Sequence, residues 1–237
     1  MPRRSAARPA LLVTAEHGGR RVPPAYRPLF ARHAVLLDTH RASDPGSLAM
    51  ARTLASHLGA PLLHSTITRL LVDLNRSRGH PRLFSEVTRD LPRAGRERIL
   101  TRFYHPYRDA VGRRVAALAA RGRVVHVASH SFVPELHGEV RNADIGLLYD
   151  PRRRGERTLA ARWRAALRQL EPGLRVRCNY PYAGRADGLT THLRRAFPDR
   201  RYAGLELEIN QRFPLQGGRD WARLRRTVAA ALEIALR

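Results

Sequence analysis

At 237 residues with 43% hydrophobic content, the chain is long enough for one sizeable core and too apolar to be disordered. Its net charge of +24 suggests a polyanion binder, but all 44 basic residues are arginine, spread through an Ala-, Leu-, Gly- and Pro-rich sequence as a GC-rich coding sequence would produce. With no RRM-like aromatic motif, no zinc-finger spacing and no apolar run of about 18 residues, neither a nucleic-acid partner nor a membrane span is expected, and the single cysteine suits a reducing, cytoplasmic setting.

The basic start, MPRRSAAR, leads into PALLVTA, which is too short for a signal-peptide core and reads as a first strand at 10–15. A helix is expected at 45–58, with Asp44 at its cap and Pro45 in its first turn. Two strands follow at 61–65 and 69–73, then a long helix at 96–120 and a strand at 123–129. The remaining elements are a strand at 145–149, a helix at 156–170, a strand at 174–178, a helix at 188–196, a strand at 203–209 and a helix at 219–236. Apolar strands alternating with helices, without repeats or a low-complexity linker, predict one domain over residues 1–237. The fold class is α/β: a three-layer α/β/α sandwich around a mostly parallel mixed sheet. Ligand sites in such folds lie beyond the carboxyl ends of the strands.

The strand ends are polar. Glu16-His17-Gly18-Gly19 follows the first strand and Ser129-His130-Ser131 follows 123–129. Asn179-Tyr180-Pro181-Tyr182 follows 174–178, and the last strand carries Glu206 and Glu208 on one face. His126 and His130 are spaced as two ligands would be on a helix, but on a strand they stand about 13 Å apart and cannot share an ion. His130 is therefore read as functional and His126 as a buried, hydrogen-bonded structural residue. His17, His130 and Asp44 supply two imidazoles and one carboxylate, which on zinc leaves a fourth position open for water. Asp44 has a second reading as a helix cap, and the two roles do not exclude each other. His40 is either a partner of a ligand or a loop residue. Glu208, nearer the strand end than Glu206, is the expected general base, with a salt bridge to an arginine as the alternative. The stretch ITRLLVDLNRS, Ile67 to Ser77, is dense in planar donors and suggests that a carboxylate is held there. Cys178 is read as a small core residue inside an apolar strand rather than a nucleophile, and no Gly-x-Ser-x-Gly elbow surrounds Ser129 or Ser131.

EHGGRRVPP, DTHRASDPGSLA, TRLLVDLNRS, SHSFVP, RNADIGLLYDP, NYPYAG and LEINQR occur in that order. Together they resemble the N-formylglutamate amidohydrolase family over about residues 11–213. The resemblance implies a fold similar to zinc carboxypeptidases and aspartoacylase. It also implies metal-dependent hydrolysis of an N-acyl amino acid, such as N-formyl-L-glutamate to formate and glutamate. It assigns His17, Asp44 and His130 to one Zn2+ per chain (another divalent metal being possible) and Glu208 to the base. Asn75 and Arg76 resemble the pair that grips a substrate carboxylate, with Arg69 and Arg141 as further carboxylate candidates. One departure is that His17-Gly18-Gly19-Arg20 lacks the glutamate of the His-x-x-Glu found in carboxypeptidases, which leaves Asp44 and Glu16 as competing third ligands. The expected enzyme is a zinc-dependent hydrolase of linear amide bonds, acting on a small-molecule N-acyl amino acid. The alternatives are a same-fold hydrolase of another acyl or peptide amide and a non-catalytic polyanion-binding protein.

Overall fold

The computed structural model describes residues 9–237, so the basic start read at 1–8 lies outside the described residues. β1 (Ala10–Ala15) leads into helical turns at Pro24–Tyr26, α1 (Arg27–Phe30) and Ala31–Asp38, then α2 (Ser47–Leu58) and β2 (Leu62–His64). After a long loop, α3 (Arg93–Ile99) runs through a π-helical turn at Leu100–Tyr104 into α4 (His105–Arg121). β3 (Val124–Phe132), the hairpin of β4 (Glu135–Leu136) and β5 (Glu139–Val140), and β6 (Ile145–Leu148) come next. α5 (Arg154–Leu170), β7 (Val176–Cys178), α6 (Leu189–Ala196), β8 (Tyr202–Asn210), α7 (Arg212–Gln216) and α8 (Gly218–Ala235) complete the order.

Six strands form one sheet in the order β2-β1-β3-β8-β6-β7, parallel at every pairing except β6 with β8. Side chains alternate between its faces. Leu11, Val13, Val125, Val127, Leu205 and Leu207 pack with Trp163 and Leu167 of α5 and Val228 and Leu232 of α8. Leu12, Val124 and Tyr202 pack on the other face with Val111 and Val115 of α4 and Leu189 and Leu193 of α6. Helices thus cover both faces, which is why the strands are nearly continuous apolar runs and why the expected three-layer sandwich forms. The face toward α4 and α6 turns polar at the strand ends: Thr14, His126, His130, Glu206 and Glu208 share the parity of Leu12, Val124 and Tyr202.

Three local expectations need correction. Residues 69–73 form turns rather than a strand. Leu70, Leu71, Val72 and Leu74 are buried, but in a second apolar cluster with Phe30, Ile99, Leu100 and Tyr104, under the long loop and away from the sheet. A short apolar run reports burial, not conformation, and the backbone there is satisfied by loop partners: Thr88 donates to the Leu71 carbonyl (3.0 Å) and the Asp73 amide to that of Leu83 (2.9 Å). Asp44 does not cap α2 with its side chain, and Pro45 lies outside the helix. Gly46, at φ 82°, holds the N-cap position and α2 starts at Ser47. His130 lies within β3, which runs on to Phe132, so the histidine is fixed by sheet hydrogen bonds rather than by a loop.

Candidate metal centre and substrate cavity

The topology brings the ends of β1, β3 and β8 together. His17 lies just past β1. His130 pairs in register with Glu208 on the adjoining strand. Asp44 approaches from the loop before α2, where its amide donates to the His17 carbonyl (2.9 Å). His17 Nδ1 is 3.3 Å and His130 Nδ1 2.9 Å from Asp44 Oδ2. All three residues are buried, and their nearest donor atoms lie within 4.8 Å of one another. His17, Asp44 and His130 could therefore hold one ion.

The outer nitrogens of both rings face carboxylates. His17 Nε2 hydrogen-bonds Asp73 Oδ1 at 2.7 Å, and Glu16 Oε2 lies 3.0 Å from His130 Nε2. A carboxylate hydrogen-bonded to Nε2, as Asp73 is to His17, favours the proton there and turns Nδ1 toward a ligand, whereas Glu16 stands close to His130 Nε2 without a hydrogen bond between those atoms. The two candidate third ligands stand apart: Asp44 is on the Nδ1 side with the cluster and Glu16 is behind it. Sequence reading did not assign these supporting roles to Asp73 and Glu16. Their one signal was position, Asp73 two residues before Asn75 and Glu16 beside His17. Arg69 completes the frame, donating from Nε and Nη2 to Asp73 Oδ2 (3.2 and 2.7 Å) and from Nη1 to Asp44 Oδ1 (3.2 Å). Its guanidinium, expected on a substrate carboxylate, is engaged with two of the protein's own.

The electrostatics follow the geometry. Burial works to raise the Asp44 carboxyl, but the two imidazoles and Arg69 outweigh it and hold it well below the usual range. Asp73 is held low in the same way, against its burial, by Arg69 and His17. Glu16, fully desolvated yet paired with His130, is held down at about 2. His130 goes the other way: despite burial, Asp44 and Glu16 raise it well above the imidazole range. A cation taking its Nδ1 must displace that proton. Glu208 is pushed up to about 8, chiefly by burial, with Asp44 and Glu206 adding to the rise and His130 opposing it. Its Oε2 is buried without a hydrogen-bond partner among the described residues.

A cavity of about 580 Å3 opens over this cluster, lined by His17, Asp44, His130 and Glu208 on its floor. Asn75 and Arg76 are on its wall. The Asn75 Oδ1 accepts from the Leu189 amide (2.6 Å), and its NH2 has no hydrogen-bond acceptor among the described residues. Arg76 gives Nη1 to the Asp187 carbonyl (2.9 Å). Arg141 is not on the cavity wall. It donates to the Tyr182 hydroxyl (2.9 Å), and Tyr182 faces the cavity in its place. His40 is exposed at the rim, outside the donor cluster. His126 is buried between the Thr14 and Tyr202 hydroxyls (2.8 and 2.7 Å), as a structural histidine should be. Cys178, expected in the core, is only half-buried, because it ends the short strand β7 at the edge of the sheet.

Three clustered potential ligands, a desolvated carboxyl and the amide and guanidinium groups of Asn75 and Arg76 around one cavity are suited to hydrolysis at a carbonyl. The family model for N-formylglutamate amidohydrolase matches residues 9–214, and the chain belongs to that family. It is therefore an amidohydrolase by family. A solved gene product of Agrobacterium tumefaciens is 31% identical, with 96% of this chain and 90% of that one covered and a TM-score of 0.82. The N-formylglutamate amidohydrolase of Ralstonia eutropha shares the fold at 22% identity and a TM-score of 0.68, over 97% of this chain and 95% of that one. No curated protein matches the sequence. Among the described residues no helix is long and apolar enough to cross a membrane.

Proposed function

We propose that the chain hydrolyses the amide of an N-acyl amino acid, of the N-formyl-L-glutamate kind, with a divalent ion held by His17, Asp44 and His130. Two imidazoles and one carboxylate with an open side toward a cavity are the donor set of a catalytic zinc site. A zinc ion there would supply Lewis-acid polarisation of the amide carbonyl and a lowered water pKa. The chain's own groups do the rest. Asn75 and Arg76 hold the substrate carboxylate, presenting two planar groups of donors to it. Glu208, in register with His130 at the cavity floor, takes a proton from the attacking water and passes it to the leaving amine. A carboxyl raised toward neutrality suits both halves of that transfer. Water adds its oxygen to the carbonyl carbon, the C–N bond breaks, and a carboxylic acid and a free amino acid leave.

The observation that carries this reading is the polarity of the two histidines, each with a carboxylate behind Nε2 and Nδ1 turned to Asp44. Elemental analysis of protein purified without a histidine tag tests it. About one zinc per chain in the wild type, lost in His17→Ala/His130→Ala, is the expected result. Glu208→Gln should keep the metal and lose about 10²–10⁴-fold in kcat on an N-acyl amino acid. A wild type that takes up no metal from zinc solution would overturn the metal centre, and full activity in Glu208→Gln would remove Glu208 from the chemistry.

A further inference from the structure

Arg141 is a cation buried without a counter-ion. It is only 8% exposed, and no carboxylate pairs with it among the described residues. The one hydrogen bond its guanidinium makes there is to the Tyr182 hydroxyl (2.9 Å), and its Cζ stands 5.0 Å from the centre of the same ring. Burying an unneutralised guanidinium is costly, so its placement against one phenol calls for a reason.

The phenol is left with its proton to give. Arginine only donates, so in this bond the Tyr182 oxygen accepts and its own O–H points elsewhere. No acceptor for that proton lies among the described residues, and Tyr182 lines the cavity. The loop that carries it is pinned: Asn179 Oδ1 accepts from the amides of Tyr149 (3.0 Å) and Gly184 (3.1 Å). Gly146 sets that loop beside the proposed base. It pairs in register with Glu208, and a Cβ on it would collide with the Tyr180 carbonyl oxygen and lie 3.2 Å from Glu208 Cβ. Only a glycine there lets the chain at Tyr180 pass so close to Glu208, two residues before Tyr182. Burial and the Glu208 carboxylate raise the phenol above its ordinary range, with Arg141 opposing, so the hydroxyl keeps its proton at neutral pH.

We propose that Tyr182 is a catalytic residue of this site: its hydroxyl donates to the substrate's carbonyl oxygen as negative charge develops there, and Arg141 is the positioning residue behind it. The inference rests on the amidohydrolase reading and adds a second electrophile to it. As water adds to the carbonyl carbon, the π pair of the C=O bond moves to oxygen. Tyr182 hydrogen-bonds that oxygen and keeps its proton. As the adduct collapses, the pair returns, the C–N bond breaks, and the amine leaves with the proton carried by Glu208. A donor held in place beforehand, with a cation behind its oxygen, stabilises the charge without reorganising.

Kinetics of the zinc-loaded protein on N-formyl-L-glutamate are the first test. Tyr182→Phe keeps the ring and is expected to lower kcat by about 10²-fold, with KM within about twofold of the wild type. Arg141→Met should lower kcat by about tenfold and add little in the Tyr182→Phe background, a non-additivity that a role in folding alone would not give. The second test needs no turnover: calorimetric binding of the phosphinate analogue of N-acetyl-L-glutamate, whose tetrahedral phosphorus carries two oxygens in place of the amide carbonyl, beside free L-glutamate. Tyr182→Phe should weaken the phosphinate by about tenfold or more and leave glutamate unchanged. Wild-type kcat in Tyr182→Phe, a loss confined to KM, or equal weakening of phosphinate and glutamate overturns the proposal. If the wild type cleaves nothing, the amidohydrolase reading fails by itself. Calorimetry then decides Tyr182: phosphinate held more tightly by the wild type than by Tyr182→Phe sustains the donor, and equal or absent binding ends it.

Discussion

Asp73 illustrates how much of this site is one side chain directing another. Its Oδ1 receives His17 Nε2 and the Asn75 amide (2.9 Å), and its Oδ2 receives Arg69. The same carboxylate therefore orients a proposed ligand, shapes the turn that carries the proposed substrate grip, and neutralises the arginine that also holds Asp44. Asp73→Asn removes the charge while nearly keeping the shape. Zinc affinity is expected to fall about 10–100-fold, read by competition with a chromogenic chelator. An unchanged affinity would show that His17 needs no carboxylate behind it. At this scale the sequence was partly legible. His17 and His130, read after apolar runs, lie near each other because residues at the ends of neighbouring parallel strands must meet, while Asp44 reaches them from the loop before α2. The partners on Nε2 were not legible, since Asp73 and Glu16 are 56 and 114 positions from the histidines they support and nothing local marks such a pair.

Among the elements, the α3–α4 helix and the start of α2 set the site's precision. The first was expected as one helix at 96–120; it starts at Arg93 and contains a π turn. From there Tyr104 donates to the Arg76 carbonyl (2.8 Å), Tyr107 to Glu16 Oε1 (2.8 Å) and Arg108 to the Leu74 carbonyl (3.2 Å). One helix thus braces both the 73–76 turn and the carboxylate behind His130, and an irregular turn inside it is a frequent mark of a functional region. At α2, Gly46 takes φ 82°, and a Cβ there would come within 2.5 Å of Pro214 Cβ. Gly46→Ala therefore adds backbone strain to a clash with a stiff ring two residues from Asp44. A loss of about 1–3 kcal/mol in denaturant unfolding is expected, together with weaker zinc binding. A variant as stable as the wild type would mean that the turn relaxes freely. The error at 69–73 belongs here too: periodicity reported burial correctly, and only the second apolar cluster made that burial a turn.

Across the molecule, the sheet carries a titratable group in its own interior. His126 in β3 is fully buried between two hydroxyls, and desolvation lowers it to about 4 against Glu16's opposing pull. The ring is neutral when folded and takes a proton when unfolded below pH 6.5, so the unfolded state gains protons first as pH falls. Stability contributed by the neutral ring is complete above pH 6.5 and is lost as pH drops toward 4, by roughly 3 kcal/mol. His126→Gln should show a flatter acid limb of melting temperature over that interval, even from a lower starting point. Parallel limbs in the two proteins would place the acid sensitivity elsewhere. The arginine excess also has a structural side at this scale. Buried Glu156 is met by Arg153 and Arg194 (3.1 and 3.0 Å), and these guanidiniums also donate to carbonyls at Tyr202 and Gly204 (both 2.8 Å), tying α5 and α6 to β8.

The sequence by itself determined the layer architecture, because apolar strands between amphipathic helices have few other ways to bury both faces. It also determined the family, through ordered motifs, and the chemical types at the strand ends. The tertiary structure decided which of those groups meet. It set Asp44 rather than Glu16 on the Nδ1 side of the histidines. It engaged Arg69 with the protein's own carboxylates and placed Arg141 behind Tyr182. Each of these depends on contacts between distant segments and on the water those contacts exclude, and spacing along the chain encodes neither.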